Sequence, residues 1–182
     1  MTGTETPATS VEELTEFQGT DLNDLCDAAV AAIAEGGGFG WVKRPPRHIM
    51  EAYWKGLLLV PDRKLFVARI DGTVAGAAIL VRAPRNNEAQ AHAALLTGHF
   101  IAPWARGHGL SPKLIKLVEE TARGIGVEVL NLDVRETQTR AIQVFESLGF
   151  HRFGTHPAYA RVEGRLIAGY FYWKPLVPGL ER

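Results

Sequence analysis

Two stretches decide how this chain is read: Ile101-Ala102-Pro103-Trp104-Ala105-Arg106-Gly107-His108-Gly109-Leu110-Ser111, and Gln138-Thr139-Arg140-Ala141-Ile142-Gln143-Val144-Phe145-Glu146-Ser147-Leu148-Gly149-Phe150. The first is a glycine-rich turn between an apolar run ending at Ile101 and a helical pattern over Pro112 to Arg123. In that helix Leu114, Ile115, Leu117, Val118 and Ala122 share one stripe. Ser111 reads as its cap, Pro112 suits a first turn whose N–H is unpaired anyway, and Gly124 is a natural stop. Small residues let the backbone approach a ligand closely, and the helix N-terminus behind them offers unpaired N–H groups to an anion. Arg106 adds a planar charged fork suited to phosphate. A pyrophosphate would use all three features, although a plain strand-to-helix turn explains the glycines equally well. A Walker A loop is absent, and a Rossmann fingerprint started at Gly107 meets Pro112 where its third glycine should stand.

Outward from this segment the pattern alternates short strands and helices. Strand Val127 to Val134 and helix Gln138 to Leu148 follow the first helix. Upstream, Leu65 to Ile70 and Val74 to Val81 flank Asp71-Gly72, a strong hairpin signal. After the turn Pro84 to Asn87, a strand is expected within Ala89 to Ile101. Helices are expected over Asp21 to Glu35, ended by three glycines, and over Arg47 to Leu58, opened by Pro45-Pro46. Val11 to Gln18 reads as a first strand. The last two strands fall within Arg152 to Val162 and Leu166 to Trp173. Clustered strands with few helices between them give an α/β (α+β) mixed sheet with helices packed on its faces. One domain is expected over 11–182, behind a disordered tail at 1–10.

The 182 residues, 46% hydrophobic and 22% charged, suffice for a core that needs no disulfide or metal. Twenty basic residues balance twenty acidic ones, which argues against a nucleic-acid partner bound through phosphate neutralisation. No apolar run approaches the roughly 18 residues of a membrane span, so no membrane partner is expected. The N-terminus lacks the basic patch and apolar centre of a signal peptide. The single cysteine, Cys26, reads as a core residue, and the expected compartment is the reducing cytoplasm. The six histidines show no metal spacing, so no metal is expected.

The two quoted stretches resemble the GNAT (GCN5-related N-acetyltransferase) superfamily. That family shows an R/Q-x-x-G-x-G/A loop before a helix, often after a V-x-P step. About 32 residues after the arginine it commonly shows N-x-x-A-x-x-x-Y-x-x-x-G-F, here Gln138 to Phe150. The detailed match spans roughly 50 residues, and the order of elements agrees over the rest. The resemblance implies a largely antiparallel sheet in which the strands ending at Ile101 and Val134 run parallel and splay. It implies acetyl-CoA as co-substrate, held by Ile101, Arg106, Gly107, His108, Gly109, Leu110 and Ser111 with Gln138 and Phe145 nearby. It also implies direct attack by an amine, from a small molecule or from a peptide or protein.

Three positions depart from the family pattern. Ser111 replaces Gly or Ala, Gln138 replaces asparagine, and Phe145 replaces the tyrosine usually assigned to protonate the departing CoA sulfur. A positioned acid contributes about 10²–10⁴-fold, so its loss is significant but not the whole of catalysis. A thiol of pKa about 8.5 is a tolerable leaving group, whereas a lysine-like amine is free only about once in 2,500 at pH 7. Removing that proton is the larger task, and His99 is a candidate for it: with unbroken alternation Thr97, His99 and Ile101 share a face. A hydrogen-bonded core histidine is the competing reading. Tyr159 is a candidate substitute acid, or simply a half-buried strand tyrosine. Asp133 either faces the acceptor cleft or caps a neighbouring element. Tyr53 and Trp54 either border the acceptor site or belong to a core stripe. Phe171, Tyr172 and Trp173 suit a homodimer interface or a buried final strand. Phe145 and Gln138 also favour an alternative, a non-catalytic acyl-CoA-binding domain on the same fold.

Overall fold

The computed structural model describes residues 6–37 and 39–180. In chain order these form β1 (Thr9–Leu14), α1 (Asp21–Ala34), α2 (Arg47–Leu57), β2 (Arg63–Ile70), β3 (Thr73–Arg82) and β4 (Ala93–Ile101). There follow α3 (Leu110–Gly124), β5 (Val129–Arg135), α4 (Thr139–Ser147), β6 (His151–Val162) and β7 (Arg165–Pro175). The strands make one seven-stranded sheet in the order β1-β2-β3-β4-β5-β7-β6. Only β4 and β5 are parallel; every other neighbouring pair is antiparallel.

The β2–β3 hairpin forms as its sequence dictates. Asp71 (φ 47°) and Gly72 (φ 82°) both take left-handed conformations, the two-residue turn whose twist matches the flanking strands. Glu163-Gly164 does the same between β6 and β7, with φ of 49° and 79°. β1 differs from expectation at both ends. Thr9 and Ser10, expected in the tail, pair with Ile70 and Arg69, and the strand stops at Leu14. Pairing with β2 satisfies backbone groups that a free tail would leave to water; residues 1–5 lie outside the described residues.

Two adjacent residues of β4 show how the helices are layered. Successive strand side chains point to opposite faces. Phe100 meets Trp54 of α2, with ring centroids 6.4 Å apart, whereas His99 meets Ser111 of α3 at 2.8 Å. So α2 covers one face and α3 the other, with α1 beside α2 against β3. Leu114, Ile115, Val118 and Ala122 of α3 are buried against the sheet, as their periodicity implies. On α2, Met50, Trp54 and Leu57 are buried, while Ile49 and Tyr53 reach the surface. Tyr172 is fully buried and belongs to the core rather than to an interface.

Thr97 does not share a face with His99 and Ile101. The β3–β4 register shifts between Ala77 and Ile79, so that Thr97 lies opposite Ile79 and Phe100 opposite Ala77. Gly98, at φ 59°, carries the extra residue of this bulge. Thr97 therefore turns to the α2 side with Phe100, and His99 keeps the α3 side with Ile101.

Candidate active site

β4 and β5 pair only from Ala93 to Leu95 against Val129 to Asn131. Beyond that point they splay, leaving Leu96 to Ile101 without partners on β5. Two cavities open along this wedge, one of about 300 Å³ toward the glycine-rich loop and one of about 430 Å³ toward β6. His99, Gln138 and Ala141 line both, so they mark the junction.

The loop-side cavity gathers Ile101, Arg106, Gly107, Gly109, Leu110 and Ser111. Gly107 and Gly109 hold φ of 83° and 70°, and nothing lies within 4 Å of where a Cβ would stand on either. Both the backbone and the space in front of it are open to a ligand. α3 begins at Leu110 with Gly109 as its cap, so Ser111 is not the cap that its sequence position suggests. Gly109 can adopt the left-handed conformation this sharp entry needs. That conformation brings Ser111 into the first turn, where its Oγ bonds His99 Nε2 at 2.8 Å. Among the described residues no side chain caps α3, so the N–H groups of Leu110 and Ser111 stay available to an anion. Arg106 does not point at open space: its Nη1 donates to Glu35 Oε2 at 2.5 Å. His108 turns back onto the loop, with Nδ1 3.1 Å from the Ala105 carbonyl, and does not line the cavity.

At the junction, His99 packs edge-on against Phe145 at 5.5 Å, and Phe145 in turn against Phe150 at 5.8 Å. Burial of the imidazole pushes its pKa from 6.5 down to about 4, so it is neutral at pH 7. Gln138 Nε2 donates to the Gly36 carbonyl, and Arg135 donates to the carbonyls of Gly37 and Phe39 at 2.8 and 3.2 Å. These bonds tie the α1–α2 connection across the wedge.

Phe145, expected near the cofactor, lines the second cavity instead. Tyr159 and Asp133 line the same cavity, and the Tyr159 hydroxyl donates to Asp133 Oδ2. Burial and the neighbouring carboxylate raise the tyrosine pKa, which keeps the phenol protonated. Tyr159 is placed by an irregularity in β6 between His156 and Ala160 and packs edge-on against Phe171. Phe39, Val42 and Tyr53 give this cavity an apolar wall. Trp54 lies in the core behind it.

Sequence reasoning missed several lining residues. Arg140 and Val144 of α4 face the loop-side cavity, and Arg135 and Arg161 the other. Alternation from Asp133 could have found Arg135. In the sequence Glu35 and Gly37 mark only a helix end, because a contact across 71 residues leaves no local signal.

The acetyltransferase (GNAT) family model matches residues 29–150. An uncharacterized N-acetyltransferase from the hisH-hisA intergenic region of Azospirillum brasilense is 62% identical over 131 residues, covering 72% of this chain and 78% of that protein. Among solved structures, an N-acetyltransferase from Staphylococcus aureus Mu50 superposes with a TM-score of 0.79 at 17% identity, over 93% of this chain and 99% of that one. The structure of yncA from Salmonella typhimurium, solved with its cofactor acetyl-CoA, does so at 0.71 and 20% identity, over 95% and 96%. At such identities the solved structures speak for the fold, while the family model and the Azospirillum relative speak for descent. The chain belongs to the acetyltransferase (GNAT) family, enzymes that move an acetyl group from acetyl-CoA to an amine.

Proposed function

We propose that this protein transfers the acetyl group of acetyl-CoA directly to the primary amine of a small-molecule acceptor, both bound at once. The observation that carries this reading is the meeting of two cavities at His99, Gln138 and Ala141. One cavity presents glycine backbone and a helix N-terminus suited to a pyrophosphate; the other presents apolar and charged side chains suited to a separate molecule. The N–H groups of residues 107 to 111 would hold the pyrophosphate, with Arg106 drawn from Glu35 to assist. On its β5-facing edge, the backbone of Leu96 to Ile101 offers hydrogen bonds to an amide-bearing arm laid along it, as an added strand would use them.

In the transfer, the amine nitrogen bonds the thioester carbonyl carbon, the carbon–sulfur bond breaks, the amine loses a proton and the sulfur gains one. His99 is the proposed acceptor of the amine proton, directly or through water. Neutral at pH 7, it does not repel an approaching ammonium, and a pKa near 4 makes it a relay rather than a store for the proton. Its bond to Ser111 fixes the imidazole orientation. Tyr159, held protonated beside Asp133, is the proposed proton donor in place of the family tyrosine. Cys26, buried and the one cysteine of the chain, suits a reducing compartment such as the cytoplasm.

Thiol release from acetyl-CoA across a panel of primary amines tests this reading. Amine-dependent release by the native protein, reduced about a hundredfold or more in His99→Gln at unchanged acetyl-CoA affinity, is expected. An acetylated protein residue trapped during turnover would contradict direct transfer.

A further inference from the structure

The charges around the second cavity are unequal. Asp133 is its one carboxylate among the described residues, while Arg135 and Arg161 are both guanidinium groups. Neither arginine has a carboxylate within 4.0 Å among the described residues, a state they share with most arginines of the chain. Two like charges that line one cavity repel each other unless an anion lies near both. Arg135 is partly engaged, since it holds the Gly37 and Phe39 carbonyls. Arg161 is exposed, spends one donor on the Gly164 carbonyl of the β6–β7 turn at 3.0 Å, and keeps the rest of its five-donor fork.

The spacing of the charges adds to this. Tyr159 and Arg161 stand two positions apart on β6, about 7 Å along the strand, and both line the cavity. Tyr159 is bonded to Asp133. A carboxylate and an arginine thus line the same cavity. Phe39, Val42 and Tyr53 supply an apolar wall beside them.

Resting on the reading of this cavity as the acceptor side, we infer that the acceptor is a small amine that also bears a carboxylate, that is, an amino acid with an apolar side chain. Its carboxylate lies on Arg161 with Arg135 in support, its nitrogen is directed past Asp133 toward His99, and its side chain lies on the aromatic wall. A polyamine or the lysine of a basic peptide meets two unpaired guanidinium groups and a single carboxylate, and is disfavoured.

Binding is measured on protein saturated with CoA, so that the result does not depend on turnover. The ligands are three matched sets: leucine, methionine and phenylalanine, each with its carboxamide and its decarboxylated amine, and spermidine as the contrasting cation. The amino acid of at least one set should bind about tenfold or more tighter than its two analogues, the difference expected for a charge-assisted pair. Arg161→Gln should remove that ratio while leaving the carboxamide unchanged, and Arg161→Lys should restore part of it. Equal binding within every set, tighter binding of spermidine, or no binding by any member in the millimolar range would each overturn the inference. Thiol release from acetyl-CoA, scored separately, reports on the transfer reaction itself: selective binding without release would overturn the proposed reaction and leave the acceptor class standing.

Discussion

Arg106 Nη1 lies 2.5 Å from Glu35 Oε2, so the side chain best suited to a cofactor phosphate is held by a carboxylate at the end of α1. The two side chains are 32% and 52% exposed, and an ion pair so placed contributes at most about 1 kcal/mol. A pyrophosphate, carrying more charge, should displace Glu35. Glu35→Gln is therefore expected to tighten acetyl-CoA binding by up to about fivefold, the equivalent of that contribution. Arg106→Ala should weaken it by about tenfold. Calorimetric titration of both variants checks the pair of signs.

His99 gives the fold a dependence on pH. Its pKa in the folded chain, about 4, lies below the ordinary 6.5. Between those values the unfolded chain binds a proton that the folded chain refuses, so stability falls as pH drops through that window and is regained as pH rises. The slope from this one group is at most about 1.4 kcal/mol per pH unit. Denaturant unfolding at pH 5, 6 and 7 should show a shallower acid loss in His99→Gln than in the native protein. Parallel profiles would mean that the imidazole is solvated and titrates normally.

Tyr159 should separate catalysis from stability. Its ring is half-buried and its hydroxyl meets Asp133, so Tyr159→Phe removes one hydrogen bond and costs about 1 kcal/mol of folding free energy. If the phenol supplies the proton to the departing sulfur, kcat falls at least about a hundredfold. A kcat within twofold of native would remove Tyr159 from the reaction.

The β4 bulge sets the direction in which His99 points. A Cβ on Gly98 would meet Ile79 Cδ1 at 2.7 Å, and the backbone there is at φ 59°. Gly98→Ala should destabilise by about 1–3 kcal/mol. It should also lower transfer, because restoring regular alternation would turn His99 away from Ser111. Thermal unfolding together with thiol release would show both losses.

The fold was legible where local chemistry dictates structure. Asp71-Gly72 specifies its hairpin, the stripe from Leu114 to Ala122 specifies the buried side of α3, and Gly107 and Gly109 mark the loop in front of it. What stayed hidden depends on contacts between distant segments. Gly98 was one glycine in an apolar run until pairing with β3 made it a bulge, and that displaced Thr97 from the face assigned to it. Ser111 looked like a cap, yet Gly109 takes that place and frees the hydroxyl for His99. Arg135 and Arg161 carry no motif; only the fold brings both to the lining of one cavity.

Calorimetric titration of acetyl-CoA into the native protein and into Gly109→Val tests the cofactor site most directly. Valine at φ 70° cannot hold the open left-handed cap, and its side chain would occupy the space in front of the helix N-terminus. Micromolar affinity in the native protein, weakened about a hundredfold in a variant whose circular dichroism remains native, is the predicted result. Equal affinity in both proteins, or no native binding at millimolar acetyl-CoA, would contradict the placement of the cofactor on this loop.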